Sequence, residues 1–367
     1  MDKIKKLKKL FIPFMIDGYI VPKNDEYFNE YVNRSDERLK FISNFSGSAG
    51  FAIILKNKNY LFVDGRYTIQ ARIQSGKNFK IVTMPQELPG DVLKTKKKIK
   101  IGFDSKLLSE MQLKFLFNVK NITFKPVKEN LIDIVWPKKP KDLIKPFFAL
   151  SKKYVGQSPE KKINKVKNIL LKNKANYLLI TAPENVAWIL NIRGHDSSFS
   201  PIPNARLLIE NNGSIHLFSQ SKKVTKIKKK FLKKIKFYDE NAVEKKLKSL
   251  WKNNIWLDSL SCSIYYKNLL DKRNRIIEKI DPIYFLKSIK NPTEIKNMKK
   301  SHMIDGVALT KFLFWLKKNF MKKKITEISA QKKLEDFRKK NKNYKFPSFS
   351  TISGAGPNSA IIHYKAS

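Results

Sequence analysis

At 367 residues the chain is long enough for two or three domains, and its 42% apolar residues can build cores of normal size. The net charge of +45 would suit a nucleic acid or an anionic membrane surface, but the lysines are spread over helix faces, turns and helix ends, with no base-reading motif. We therefore predict no nucleic-acid partner. The single cysteine, Cys262, excludes an intrachain disulfide and a cysteine-cluster metal site and indicates a reducing, cytoplasmic compartment.

The first 22 residues contain a basic run followed by an apolar run, as a signal peptide does. However, Pro13 interrupts the apolar run, and Asp17 follows where a signal peptide has a small-residue cleavage site. We predict a first helix or an extended lead-in to a first strand. The sequence contains no run of 18 or more apolar residues, so we predict no membrane-spanning segment and no membrane partner.

Two stretches, Phe41–Gly47 ("FISNFSG") and Trp188–Gly194 ("WILNIRG"), share the pattern aromatic-Ile-x-Asn-apolar-x-Gly. Each follows an apolar strand pattern that ends in proline, and each precedes two strands joined by a polar turn, which in the second copy is Asn211–Gly213. Because the flanking order repeats together with the motif, the sequence predicts two related α/β domains. The charged, proline-containing stretch Val127–Pro146 is predicted to link them.

The lysine-rich stretch Ser221–Phe237 is predicted to form one amphipathic helix. Its apolar residues recur at spacings of three and four, namely Val224, Ile227, Phe231 and Ile235. The lysines of this stretch, the densest run of positive charge, would then lie on the solvated side of the helix.

A third region begins at Asn291, which is predicted to cap a helix. Pro292 stands at the first helical position and Glu294 completes a capping box, and apolar residues then continue on one face through Leu309–Phe320. Thr326 is predicted to cap a second helix.

Four histidines are present, and none has a second histidine or a cysteine at metal-ligand spacing. His216, in a predicted hairpin strand, and His302, on a predicted helix, favour structural roles, while His195 lies in a loop. His363 differs because "GAGPN" supplies a turn and "AIIHY" reads as a short buried strand that would aim an imidazole. A catalytic role and a satisfied strand histidine stay open for it. Arg66 follows a turn, and its planar fork suits either a bound carboxylate or a surface ion pair.

Several separate motifs also resemble, in chain order, those of the Xaa-Pro aminopeptidases (aminopeptidase P) in their three-domain form. The matching stretches are "SDERLKFISNFSGSAGFAII", "LFVDGRYTIQA", "VKENLIDIVW", "APENVAWILNIRG" and "PSFSTISGAGPNSAIIHY". Their collinear order makes the resemblance more specific than any single motif would.

The resemblance implies two tandem creatinase-like amino-terminal domains, at residues 1–135 and 136–288, and the beginning of a pita-bread catalytic domain at residues 289–367. In that family two manganese ions, held by two aspartates, one histidine and two glutamates, activate a hydroxide that attacks the first peptide bond when proline is the second residue. By this resemblance His363 would contact the peptide and help to stabilise the tetrahedral intermediate, and Arg66 would contact substrate.

In the family the metal ligands follow the "HY" motif, and none of the five is present in this sequence; Ser359 also stands where glycine is usual. We therefore expect the 367 residues to be an inactive amino-terminal part of a Mn²⁺-dependent enzyme. The resemblance further implies an Xaa-Pro peptide substrate and a homodimer. Two alternatives remain, a non-catalytic dimerising or binding module of the same fold and a basic nucleic-acid binder.

Overall fold

The computed structural model describes residues 2–94, 97–117, 119–231 and 235–366. The chain divides into two compact units. The first runs as far as Ala149 and resumes at Pro159–Lys287, and the second combines Leu150–Ser158 with the residues from Ser288 onward. Among the described residues, all strands belong to the first unit, and the second unit contains helices and turns.

Strands and helices are interspersed along the first unit, as the α/β prediction requires. The strands are β1 (Gly18–Pro22), β2 (Phe51–Leu55), β3 (Asn59–Asp64), β4 (Lys80–Met84), β5 (Ile99–Asp104), β6 (Ile122–Val127), β7 (Phe148–Ala149), β8 (Tyr177–Ile180), β9 (Ile192–Arg193), β10 (Arg206–Glu210), β11 (Ile215–Phe218), β12 (Ile235–Tyr238), β13 (Asn254–Leu257) and β14 (Arg275–Glu278). The α-helices are α1 (Lys3–Lys9), α2 (Arg38–Ser43), α3 (Thr68–Ser75), α4 (Pro89–Val92), α5 (Glu110–Leu116), α6 (Leu131–Val135), α7 (Lys152–Val155), α8 (Pro159–Lys172), α9 (Pro183–Leu190), α10 (Thr225–Phe231), α11 (Ala242–Lys248), α12 (Ile264–Asp271), α13 (Pro282–Ser288), α14 (Pro292–Asn319) and α15 (Glu327–Lys339). Short 3-10 helices cover Arg34–Asp36 and Gly356–Ala360.

The two large sheets of the first unit have the same topology. Domain I, built on the first sheet, has the strand order β4-β3-β2-β1-β5-β6, and domain II, built on the second, has the order β12-β11-β10-β8-β13-β14. In domain I, β1 pairs with β2 and β2 pairs with β3 in antiparallel orientation, and the remaining pairs of the sheet are parallel. In domain II, β8 pairs with β10 and β10 pairs with β11 in antiparallel orientation, and the remaining pairs are again parallel. The predicted duplication is confirmed. The strands β7 and β9 form a separate antiparallel pair.

Each sheet is covered by apolar side chains on both faces, which makes each domain a three-layer structure. Along β1, Tyr19 and Val21 face one apolar cluster and Ile20 faces the other, because successive side chains of a strand point to opposite faces. In domain II, Leu207 and Leu208 of β10 divide between two clusters in the same way. Burial on both faces fits the nearly continuous apolar runs of these strands.

The repeated motif has a local structural reason in both domains. Asn44 ends α2 and Asn191 ends α9, each in the left-handed conformation with φ of 66° and 54°. Asparagine tolerates this conformation better than most residues. The glycines that close the motif are required by crowding, since a Cβ on Gly47 would lie 2.2 Å from the Phe45 ring and one on Gly194 would lie 2.7 Å from a backbone oxygen.

A lysine from the preceding helix braces the motif in each domain. Lys162, buried in α8, donates to the carbonyl oxygen of Trp188 at 2.8 Å and to Asn191 Oδ1 at 2.7 Å, and its Nζ lies 4.1 Å from the centre of the indole ring. Lys3 of α1 donates to the carbonyl oxygen of Phe41 and, at 2.8 Å, to the asparagine that ends α2. The repeat therefore extends to contacts that the motif itself does not contain.

One predicted helix is partly wrong. The helix predicted over Ser221–Phe237 is α10, which ends at Phe231, and Ile235 belongs instead to β12, where it pairs with Ile215. Ile227 is buried as expected. The helical spacing continued past the end of the helix because a buried strand residue and a buried helix residue look alike in so short a pattern. At the amino terminus the prediction left a helix and an extended lead-in open, and the structure has the helix, α1, followed by the first strand, β1.

Domains I and II meet around a buried arginine. Arg206 of β10 is 2% exposed, and its Nη2 donates to the carbonyl oxygen of Glu26 at 2.8 Å. Its guanidinium carbon lies 4.1 Å from the ring centre of Tyr27 in domain I and 4.6 Å from that of Tyr266 in domain II. The arginine thus stacks on aromatic rings from both domains.

The second unit is built on the capped helices α14 and α15. Asn291 accepts from the N–H groups of Thr293 and Glu294 and donates to the carbonyl oxygen of Val155, which ties α7 to the start of α14. Thr326 caps α15, so both predicted caps are confirmed. Within the described ranges no helix is long and apolar enough to cross a membrane.

Candidate functional site

His363 does not lie on a strand, and the strand predicted for "AIIHY" is wrong. The 3-10 helix Gly356–Ala360 is followed by a turn, and His363 is half-buried with a φ of +58°. A β-strand is stable only when its backbone groups pair with a neighbouring strand. In the part of the second unit that the structure describes there is no such neighbour, so the apolar pattern alone does not produce a strand.

The segment that carries His363 is attached to the start of α15 by Glu327. Glu327 Oε1 accepts from the backbone N–H of Ala355 at 2.6 Å and from Asn358 Nδ2 at 3.1 Å, and Oε2 accepts from the hydroxyl of Tyr364 at 2.8 Å. These donors, the Tyr364 hydroxyl first, lower the pKa of Glu327 below its usual range because they stabilise the carboxylate. The residues before and after His363 therefore share one anchor.

Arg66, the second predicted site residue, forms the surface ion pair that the sequence left open. Its Nε and Nη2 donate to the two carboxylate oxygens of Asp64 at 3.0 and 2.7 Å, and its side chain is 47% exposed. The Asp64 carboxylate raises the pKa of the guanidinium. Beside it, Tyr67 is buried and its hydroxyl lies 2.8 Å from Ser48 Oγ. Arg66 belongs to the first unit and His363 to the second.

Of the other histidines, His216 is buried and His195 is exposed. His216 is buried on β11, where Nε2 lies 2.6 Å from Glu210 and Nδ1 lies 3.3 Å from the Tyr238 hydroxyl, as expected of a structural histidine. His195 is exposed in its loop, with its ring 5.5 Å from that of Phe148.

The second unit contains a groove of about 700 Å³ along α14 and α15. An ion pair crosses it, because Arg338 donates to both carboxylate oxygens of Asp305 at 2.6 and 2.9 Å. His302 and Lys311 also line the groove, and His302 is exposed. This bidentate pair joins the two helices.

Sequence reasoning missed a buried carboxyl pair in domain II. Asp258 follows β13 and Asp281 follows β14; both are buried, and Asp258 Oδ2 accepts from the Asp281 N–H at 2.9 Å. Burial, with a smaller effect from the Asp258 charge, raises the pKa of Asp281 to about 6. In domain I the equivalent positions are Asp104 and Asn130, where the amide donates to the carboxylate at 2.9 Å. Their positions in the sequence could have predicted this pair, because polar residues that follow adjacent parallel strands lie at the same edge of the sheet.

Three family models match the chain in order. The Creatinase/Prolidase N-terminal domain matches residues 3–134 and, as a second model, residues 138–294, and Metallopeptidase family M24 matches residues 296–367. The fold and these matches define the class of protein, which has two creatinase-like domains followed by the start of an M24 domain. The fold class predicted from sequence is confirmed, and the predicted domain boundaries stay a prediction.

The relatives narrow this class. Xaa-Pro aminopeptidase 1 of Dictyostelium discoideum is 34% identical over 99% of this chain and 61% of its own length, and a probable Xaa-Pro aminopeptidase P of Laccaria bicolor is 35% identical over 99% and 59%. The X-prolyl aminopeptidase of Caenorhabditis elegans, described as a cytosolic enzyme with a di-nuclear active site, matches with a TM-score of 0.90 and 26% identity over 99% of this chain and 63% of that one. The chain is thus similar to Xaa-Pro aminopeptidases over nearly its whole length, and it spans about three fifths of the length of the curated relatives it matches.

A metallopeptidase domain implies bound metal, which requires a cluster of ligating side chains. Among the residues that the structure describes, no group of three or more histidine, cysteine, aspartate or glutamate side chains could hold a metal ion. The described residues therefore do not fit a metal pair, and no catalytic step of this chain is assigned to one.

Proposed function

We propose that the protein to which this sequence belongs is a metal-dependent aminopeptidase that releases the N-terminal residue from peptides with proline in second position. The observation that carries the proposal is the match to the C. elegans X-prolyl aminopeptidase, at a TM-score of 0.90 over 99% of the chain. Sequence identities of 34% and 35% to Xaa-Pro aminopeptidases of two other organisms support it.

Within this reaction we propose that His363 contacts the peptide substrate. An imidazole can donate a hydrogen bond to a carbonyl oxygen as that oxygen gains negative charge, and it can exchange a proton near neutral pH. We assign Arg66 to a substrate contact. In the structure its Nε and Nη2 are paired with Asp64, so this assignment rests on the resemblance of the "LFVDGRYTIQA" stretch to the Xaa-Pro aminopeptidases.

We propose manganese as the metal and a cytoplasmic homodimer as the working form. The M24 match and the di-nuclear site of the C. elegans enzyme support metal ions, and the cytosolic description of that enzyme together with the free, buried Cys262 supports the location. Light scattering after gel filtration measures the oligomeric state, and a monomer mass at micromolar concentration would overturn the dimer.

The activity test supplies the missing ligands from a relative. The remaining part of the Dictyostelium Xaa-Pro aminopeptidase 1 is joined after Ser367, and the chimera is compared with the 367-residue chain and with the intact Dictyostelium protein. We expect the chimera to cleave a peptide with proline in second position and not its alanine counterpart, to lose activity in EDTA and to regain it with Mn²⁺. We expect the 367-residue chain to cleave neither peptide.

Two results would overturn these proposals. A folded chimera that cleaves neither peptide, while the intact Dictyostelium protein is active, rejects the function. Metal-dependent cleavage by the 367-residue chain rejects the need for added ligands. For His363, we expect His363→Gln to lower kcat/KM of the chimera about 100-fold, because a donor to developing negative charge is lost, whereas His302→Gln on the same unit leaves it unchanged.

A further inference from the structure

We propose that Glu327 is a positioning residue for His363, because its carboxylate fixes the segment on both sides of the imidazole to the first turn of α15. The inference rests on the proposed function, in which His363 contacts the peptide. It deepens that proposal by naming the residue that sets the place from which the imidazole acts.

The contacts converge on one carboxylate. Glu327 accepts hydrogen bonds from the N–H of Ala355, from Asn358 Nδ2 and from the hydroxyl of Tyr364. Both oxygens of its carboxylate take part in these bonds. Asn358 Nδ2 also donates to the Tyr364 hydroxyl at 3.0 Å, so the donors are linked to each other. An ionised carboxylate accepts several hydrogen bonds at once, and such charge-assisted bonds are stronger than neutral ones.

The anchor itself stands on a rigid element. Glu327 is the first residue of α15, directly after the cap formed by Thr326, where a negative charge interacts favourably with the helix dipole. The α15 helix is joined to α14 by the bidentate pair of Arg338 with Asp305. A displacement of the His363 segment therefore requires breaking the contacts to Glu327 or moving the two helices.

The segment needs such an anchor because of its backbone. His363 has a φ of +58°, a left-handed conformation that residues other than glycine adopt infrequently. Such a conformation persists only where surrounding contacts determine it, and it recurs at functional sites. Tyr364, the next residue, is held through its hydroxyl by Glu327. Removal of the carboxylate should release the left-handed turn and the imidazole with it.

The first test uses the 367-residue chain and requires no catalysis. The chain contains four histidines, so their ring signals can be assigned by NMR through single substitutions. In Glu327→Ala we expect the His363 ring signal and the Ala355 amide signal to shift or broaden, and the Ala355 amide to exchange with solvent about ten-fold faster or more, since a charge-assisted hydrogen bond is lost. The ring signals of His195 and His216 should not change.

Asp336→Asn is the matched control, because it removes a negative charge from an exposed position of the same helix and leaves Glu327 in place. Glu327→Ala could also weaken α15 itself, so circular dichroism is compared. Tyr364→Phe, which removes the hydrogen bonds of the hydroxyl to Glu327 and Asn358 and leaves the start of the helix unchanged, is measured beside it. We expect a smaller shift of the His363 signal in Tyr364→Phe. An unchanged His363 signal in Glu327→Ala, or the same change in Asp336→Asn, would overturn the positioning role.

The second test measures consequences for the reaction in the chimera. We expect Glu327→Ala to lower kcat about ten-fold or more with a smaller change in KM, since the misplaced group acts during the chemical step. The kcat of Glu327→Gln, which keeps one acceptor oxygen, should lie between those of the unsubstituted chimera and of Glu327→Ala. If the NMR signals respond and the chimera is inactive even without substitution, the positioning role stands and the proposed function fails. If the signals do not respond, the positioning role fails whatever the activity.

Discussion

Replacement of Asp281 by asparagine is expected to remove a pH-dependent contribution to the stability of domain II. Asp281 is 2% exposed, and burial, followed by the charge of Asp258, raises its pKa to about 6. Hydrogen bonds from the N–H of Ile283 at 2.9 Å and from Asn185 Nδ2 at 2.7 Å oppose that increase only in part. Lys287 donates to Asn185 Oδ1 at 2.6 Å.

The sign of the effect follows from the two pKa values. The folded-state value is raised above the unfolded value of 3.8, so the folded protein holds the proton more tightly. This group therefore contributes stability that is fully present below about pH 4 and is lost as the pH rises through about 6. The difference between 3.8 and about 6 corresponds to about 3 kcal/mol in total, of which about 2 kcal/mol falls between pH 4.5 and 7.5.

Urea unfolding followed by tryptophan fluorescence measures this contribution, because three of the five tryptophans lie in domain II, namely Trp188, Trp251 and Trp256. The unfolding free energy of Asp281→Asn is subtracted from that of the natural sequence at each pH. The difference is expected to fall by about 2 kcal/mol between pH 4.5 and 7.5. A pH-independent offset adds to it, since the new amide meets the Asn185 amide as donor against donor. A difference that stays flat within about 0.5 kcal/mol across this pH range would refute the reasoning.

Further predictions concern the equivalent positions of the two domains. Asn130→Asp places a second carboxyl beside the half-buried carboxyl of Asp104, so we expect domain I to lose about 2 kcal/mol at pH 7 and to recover part of it at pH 5; an equal loss at both pH values would contradict this. Lys162→Met, which leaves two acceptors without their donor, should cost about 2–3 kcal/mol, against about 1 kcal/mol or less for the more accessible Lys3→Met, and equal urea midpoints would reject the difference. Gly194→Ala places a methyl group 2.7 Å from backbone atoms and should cost about 2–3 kcal/mol in urea unfolding; a loss under about 0.5 kcal/mol would show that the facing loop yields.

The duplication was visible in the sequence because its defining residues meet local requirements. Asn44 and Asn191 end helices in the left-handed conformation, and the glycines that follow them stand where a Cβ would collide with a neighbour. Such requirements depend on the few residues around each position, and a single sequence preserves them as a pattern. The caps at Asn291 and Thr326 were predictable for the same reason.

What the sequence did not reveal depends on residues far apart in the chain. Lys162 and Lys3 reach motifs that are separated from them by a helix or a strand, and nothing in the surrounding pattern distinguishes these lysines from the many others. The strand predicted for "AIIHY" was wrong for a related reason: the apolar pattern of a strand is local, whereas its pairing with another strand depends on residues far away in the chain. The partners of Glu327 were missed because an acidic residue in the first turn of a helix is already explained by the helix dipole.

The arginine between domains I and II bears on how the protein can be divided for study. A fragment that contained domain II alone would keep Arg206 and Tyr266 but lose Glu26 and the ring of Tyr27. The guanidinium, now buried, would face solvent on one side, next to apolar surface that domain I no longer covers. A cut at the domain boundary therefore separates two polypeptides that share one stacking site, and preparing the domains together keeps that site intact.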